Sequence, residues 1–394
     1  MSFLRAARAA LVGQSGSPRI LVAVVVVVLA GLSLSCGKSD LIPTAPNHSA
    51  YVTLPKYGSV LLLQIDGATG AITTGTETPQ QQDFTPTGLA LGPSKKFLYA
   101  INSFDDTISI FNVAGNGTLA LGGSPTPAGS SPNAAVIDPS GKYLLVTNTI
   151  FDGTVSVFSI DSSSGALSEV GLPVPANAYP TEILFTHSGQ FVYVTNPGIG
   201  MVTGFSFANG VLSPAPGSPV SSGTGAAALA VDGSDRFLYV ANPSAINAPP
   251  YESTTGNISG FNIDPNTGAL TPLLGSPFTS TAGSGPIAIA VDPTGSFVYA
   301  MTPGSSSSIW CFMIASTSGQ DGELVAATDS PFSGAAGGLF ALFDPSGNFL
   351  YIGNQSASGI EGYTYNPSTG APKAISGSPF STGGTAPGKM VLSE

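Results

Sequence analysis

The sequence predicts an all-β protein built as a closed ring of seven small sheets. Three observations carry that reading. Only 8% of the 394 residues are charged and 42% are hydrophobic, with 50 glycines and 33 prolines. A core can form from such a chain, but coiled coils and helix bundles are excluded, because they need long Ala-, Glu-, Lys- and Leu-rich stretches in helical period. An aromatic-rich strand recurs at Phe97-Leu98-Tyr99, Tyr143-Leu144-Leu145, Phe191-Val192-Tyr193, Phe237-Leu238-Tyr239, Phe297-Val298-Tyr299 and Phe349-Leu350-Tyr351, with a weaker copy at Ala50-Tyr51-Val52. Turn residues fall at matching places in each copy.

The first 35 residues stand apart. Arg5, Arg8 and Arg19 precede an apolar run from Ile20 to Ala30 that extends to Leu34, the pattern of an export signal. The run is shorter than the roughly 20 residues a bilayer span requires. It ends Ser33-Leu34-Ser35-Cys36, which resembles a bacterial lipobox with Cys36 as the lipidated residue, although Ser33 stands where such boxes usually carry Leu. Ser33 and Ser35 also fit ordinary signal-peptidase cleavage, and an uncleaved anchor is a third reading. All three place the body outside the cytoplasm. Residues 36–49 read as a polar tether and residues 50–394 as the domain.

Each repeat of the domain reads alike. A small apolar inner strand comes first, as in Pro286–Val291, followed by a tight turn such as Asp292-Pro293-Thr294-Gly295 or Asp344-Pro345-Ser346-Gly347. Pro presets φ there and Gly tolerates positive φ. The aromatic strand follows. A third strand alternates apolar and polar residues, as in Thr154–Ile160. A second turn, Asp264-Pro265-Asn266-Thr267-Gly268, leads to a short outer strand beginning Ala269-Leu270, and Gly-Ser-Pro-Phe closes the unit at Gly275–Phe278 and Gly377–Phe380. Four-stranded units repeated radially are the blades of a β-propeller. The domain begins at an aromatic strand and ends in an inner-strand pattern, Pro387–Leu392, so the C-terminal strand is expected to complete the first blade and close the ring.

Composition also limits function. The chain carries net charge −11, and loss of the leader's three arginines makes the body more acidic still. No basic patch is available for nucleic acid or for an anionic lipid surface, so contact with the membrane is expected only through the N-terminal lipid. Two His and two Cys, widely spaced, cannot assemble a zinc site. No metal or cofactor is expected. Cys311, in Ile309–Ile314, reads as a buried thiol.

The Asp-Pro-Ser/Thr-Gly turns, the strand Phe237–Asn242 and the turn Asp161–Leu167 together resemble the seven-bladed lactonase-type propellers, the group of bacterial 6-phosphogluconolactonase and the fungal carboxymuconate-lactonizing enzyme. Tyr193-Val194-Thr195-Asn196 also resembles the YVTN repeat of surface-layer propellers. The resemblance implies lactone hydrolysis, with His, Arg and Glu projecting from inner strands in catalytic members. The inner strands here supply two stacked columns. One reads Thr87, Asn133, Thr181, Ala227, Ile287, Leu339 and Gly388; the next reads Gly88, Ala134, Glu182, Ala228, Ala288, Phe340 and Lys389. Neither holds His or Arg. Glu182 and Lys389, on nearly opposite sides of the ring, read either as a carboxylate base with an oxyanion-stabilising ammonium or as two solvated groups in a wet channel. Thr87, Asn133 and Thr181 read as ligand-binding groups or as polar lining.

Asn102, Asn148, Asn196, Asn242 and Asn354 end their strands and are expected to bond their own backbone. A long connection at Pro243–Gly256, with Tyr251 and Glu252, reads as a binding rim or as tolerated length. Two functions follow: an envelope propeller that binds a small molecule, a glycan or an envelope protein, or a lactone hydrolase.

Overall fold

Seven antiparallel sheets, each with the strand order outer, third, second, inner, follow one another along the chain. The computed structural model describes residues 47–78, 84–243, 256–279, 285–303, 308–317, 319–334 and 337–393. The leader, Cys36, most of the tether, Tyr251 and Glu252 lie outside the described residues. We number the blades 1 to 7 from the N-terminus. Their inner strands are Met390–Leu392, Pro86–Leu91, Pro132–Ile137, Ile183–Phe185, Ala228–Val231, Ala288–Val291 and Gly338–Phe343. Blade 1 is closed as the sequence predicts: Ala50, Tyr51 and Val52 of its second strand, His48–Leu54, pair with Leu392, Val391 and Met390. His48, read as part of the tether, opens that strand.

The core lies between blades. Second strands are buried on both faces, and their alternation sends successive side chains to opposite neighbours. Leu98 and Ala100 pack against Tyr51 and Leu62 of blade 1, whereas Tyr99 and Ile101 pack against Leu144 and Val146 of blade 3. Leu350 and Ile352 face blade 6, while Tyr351 joins Val52 and Leu63 in the cluster that spans blades 7 and 1. Every pair of neighbouring blades shares such a cluster.

Two polar devices pin these layers. The recurrent tyrosine hydroxyl donates to a glycine carbonyl in the next blade: Tyr51 to Gly117, Tyr99 to Gly165, Tyr193 to Gly268, Tyr239 to Gly322, Tyr299 to Gly370 and Tyr351 to Gly70, all at 2.7–2.9 Å. The last of these bridges the ring closure. Glycine is required in that turn. At Gly165, φ is +73° and a Cβ would stand 2.5 Å from Phe97 of the neighbouring blade. Blade 3 has Leu145 at the tyrosine position. The turn aspartates form the second device. Asp138, Asp232, Asp292 and Asp344 are buried, and each accepts the backbone N–H that opens its second strand, at 2.5–2.7 Å. Backbone geometry is thus only half the reason for these turns; the carboxylate also ties the inner strand to the second.

The strand-ending asparagines are structural, and their bonding meets the expectation only in part. Asn102 donates to Thr107 and Ser109, and Asn148 to Thr154 and Ser156, at 2.9–3.0 Å. Asn242 donates to Asn257 and Ser259. Asn196 reaches the carbonyls of Ala176 and Ala178, and Asn354 bonds Glu361. Asn102 and Asn148 thus cross the hairpin to hydroxyls of the third strand, whereas Asn354 Oδ1 accepts the Ala357 N–H at 2.7 Å and Asn242 also donates to the Val240 carbonyl at 3.4 Å, the local backbone bonding expected of them.

Candidate functional site

Because the four strands of a blade are antiparallel, the connections entering the inner strand and those joining the second and third strands share one face. That face is the mouth of the channel. The starts of the inner strands of blades 1 to 4 meet there around a cavity of about 90 Å³. Thr87, Asn133, Thr181, Glu182 and Lys389 all line it, so every described candidate from the two columns converges on one place. Small residues, Gly88 and Ala134, fill the charged column in the two blades that separate Glu182 from Lys389 and line the same cavity.

The two charges are neither free nor separately solvated. Lys389 Nζ donates to Glu182 Oε1 at 2.7 Å and to Oε2 at 2.6 Å. The side chains retain 33% and 26% exposure. The opposite-sides placement is sound, but both side chains are long and nothing bulky stands between them, so they close across the axle. Their backbones are fixed. The Glu182 N–H donates to Thr195 Oγ1 at 3.0 Å, and the Lys389 N–H to Thr53 Oγ1 at 2.8 Å. Thr147 does the same for Ala134. These three threonines were not among the sequence candidates. In blades 3 and 4 the signal is visible as Thr-Asn at the end of the second strand, and in blade 1 as Tyr51-Val52-Thr53.

The hydroxyls of the lining are mostly engaged. Thr181 shares a bond of 2.9 Å with Thr195, and Thr87 one of 2.7 Å with Ser103. The Asn133 carboxamide makes no hydrogen bond to a described residue and is the lining group available to a ligand. Glu182 and Lys389 are the ionisable groups of this cavity, and among the described residues no cluster of His, Cys, Asp and Glu could hold a metal ion. The connection carrying Tyr251 and Glu252 leaves Asn242 on this same face, but both residues lie outside the described ones. Cys311 is fully buried between blades 6 and 7, and burial pushes its thiol up to about 12.

These features define a seven-bladed propeller with a small polar mouth. The chain belongs to the family described as lactonase, 7-bladed beta-propeller, whose model matches residues 44–179 and 254–385. A 6-phosphogluconolactonase of Formosa agariphila is 36% identical over 89 residues, a match covering 22% of this chain and 25% of that relative. The chain thus matches about a quarter of that relative's length. Among solved structures, a putative 6-phosphogluconolactonase from Bacteroides uniformis superimposes with a TM-score of 0.72 at 17% identity, over 88% of this chain and 99% of that one. A periplasmic gluconolactonase of Pseudomonas aeruginosa gives 0.69 at 18% identity, over 88% and 99%. At these identities the structural likeness concerns the fold.

Proposed function

We propose that the protein is an envelope propeller that binds a small polar ligand at the channel mouth and hydrolyses it weakly or not at all. The single observation behind this reading is the closed Glu182–Lys389 pair. Hydrolysis of a lactone needs a group to move a proton and a group to hold the developing oxyanion. Among the described residues, the only ionisable side chains of this cavity occupy one another. The Asn133 amide suits a polar ligand held by hydrogen bonds. The first 36 residues support export and attachment through lipid on Cys36, which puts the mouth where a small molecule, a glycan or another envelope protein can reach it.

The second reading, a lactone hydrolase, is favoured by family membership. It requires the ion pair to open, with Glu182 as base and Lys389 on the oxyanion. A lactonase assay on the purified protein separates the two. No turnover, or turnover indifferent to Glu182→Gln, is expected for a binding propeller. Turnover that collapses on Glu182→Gln while the melting transition persists would establish the hydrolase instead. Labelling with radioactive palmitate, abolished by Cys36→Ala, tests the anchor.

A further inference from the structure

The face opposite the mouth carries the turns between inner and second strands and those between third and outer strands. At the junction of blades 4, 5 and 6 it gathers side chains that this protein otherwise almost lacks. Arg236 is the only arginine after Arg19, and His187 is one of two histidines. Arg236 is preorganised. Its Nε donates to Ser234 Oγ at 3.0 Å, and its guanidinium lies 4.6 Å from the centre of the Phe237 ring. That ring is buried and wedged against Gly322 of blade 6. Stacking and the Nε bond fix the plane of the fork. Among the described residues its two terminal nitrogens make no ion pair.

The adjacent carboxylate is committed elsewhere. Asp235 Oδ1 accepts the His187 N–H at 2.7 Å and faces its ring Nδ1 at 2.9 Å, while Oδ2 accepts the Ser188 N–H at 2.8 Å. Burial alone would raise the Asp235 carboxyl; these amides reverse that and hold it below the usual range. Arg236 lines a groove of about 480 Å³ together with Phe191, Ile263, Pro265 and a second carboxylate, Asp321 from the blade 6 turn. Arg236 and Asp321 share this groove without pairing.

We propose that this groove binds a small zwitterion of the α-amino-acid class, with its carboxylate on the Arg236 fork, its ammonium at Asp321 and an apolar side chain against Phe191, Ile263 and Pro265. A planar guanidinium with two free donors matches a carboxylate in a bidentate fashion. An opposite charge in the same groove, out of contact, selects a ligand carrying both. The site is separate from the mouth and does not depend on the reading given for it.

The test is a ligand-observed NMR titration of the purified protein with L-leucine, with 4-methylpentanoate, which lacks the ammonium, and with 3-methylbutylamine, which lacks the carboxylate. Leucine is expected to bind at least about tenfold more tightly than either. Arg236→Gln should reduce leucine binding about tenfold and leave the amine unchanged, and Asp321→Asn should reduce leucine to the level of 4-methylpentanoate. Arg236→Lys, which keeps the charge and loses the fork, should behave like Arg236→Gln. Both side chains are on the surface, so melting curves should match those of the parent. Absence of leucine binding at millimolar concentration, leucine no tighter than 4-methylpentanoate, or indifference to Arg236→Gln would overturn the proposal.

Discussion

Consider the removal of either partner of the mouth ion pair. With both contacts at 2.6–2.7 Å, the charge centres lie about 3 Å apart, and the gross attraction is about 5–6 kcal/mol at an effective dielectric near 20. Desolvation and the ordering of two long side chains offset most of this. Exposed pairs couple by about 0.2–1 kcal/mol, whereas breaking a fully buried pair costs about 3–5 kcal/mol. Exposures of 33% and 26% place this pair between those limits, so a coupling of about 1–2 kcal/mol is expected. The unfolding entropy of a domain this size converts that to about 1–3 °C. The assay is a double-mutant cycle of Glu182→Gln, Lys389→Met and the combined variant, followed by chemical denaturation. Each single variant strands a partly buried charge and should lose stability; the combined variant should recover most of the loss. Strictly additive effects, with coupling near zero, would refute the closed pair and with it the reason for denying both groups a catalytic role.

Four further outcomes are expected. Deleting residues 385–394 removes the strand that pairs with Ala50–Val52, together with the bonds between Gly388, Lys389 and Thr53; thermal melting should fall sharply, and an unchanged transition would exclude strand closure. Tyr351→Phe deletes the hydroxyl that reaches Gly70 across the closure and should cost about 1–2 kcal/mol by denaturant titration. Burial raises the tyrosine phenols of these clamps, so their contribution to stability is whole below the unfolded value of about 10 and is lost as pH rises toward the folded values. Ultraviolet titration should find these phenols silent until the protein unfolds in alkali. Cys311, pushed up to about 12 by burial, should resist alkylation at pH 8 in the native protein and react on unfolding.

The ring was legible in the sequence because its determinants repeat. The aromatic strand, the turn aspartate and the glycine of the second turn recur in blade after blade, and a terminal strand lacking its partner points to closure. The column positions were legible for the same reason, which is why Thr87, Asn133, Thr181, Glu182 and Lys389 fall around one cavity. The contact between Glu182 and Lys389 was not. It depends on the span of the channel between blades 1 and 4 and on the smallness of Gly88 and Ala134, quantities that no single repeat encodes. The cross-strand part of the asparagine bonding was not legible for a related reason. A local turn rule considers only the residue's own backbone, whereas the partners of Asn102, Asn148 and Asn242 stand on the next strand. The junction of His187, Asp235 and Arg236 was invisible because it joins turns of different blades.

The residues that hold the ring and the residues that line its mouth are different sets. The tyrosine clamps and turn aspartates lie between blades or between strands, and none of them lines the mouth cavity. The column that holds Glu182 can therefore read Gly, Ala, Glu, Ala, Ala, Phe and Lys around one ring without loss of architecture, and membership of a lactonase family transmits the scaffold without fixing the chemistry. One link joins the two sets. Lys389 stands next to Met390, the first residue of the closing strand, and its N–H and carbonyl both bond Thr53. Its ammonium can reach Glu182 only after that strand has docked on blade 1. Ring closure and completion of the mouth are then a single event, so an open or truncated ring loses the Glu182–Lys389 pair together with its last strand.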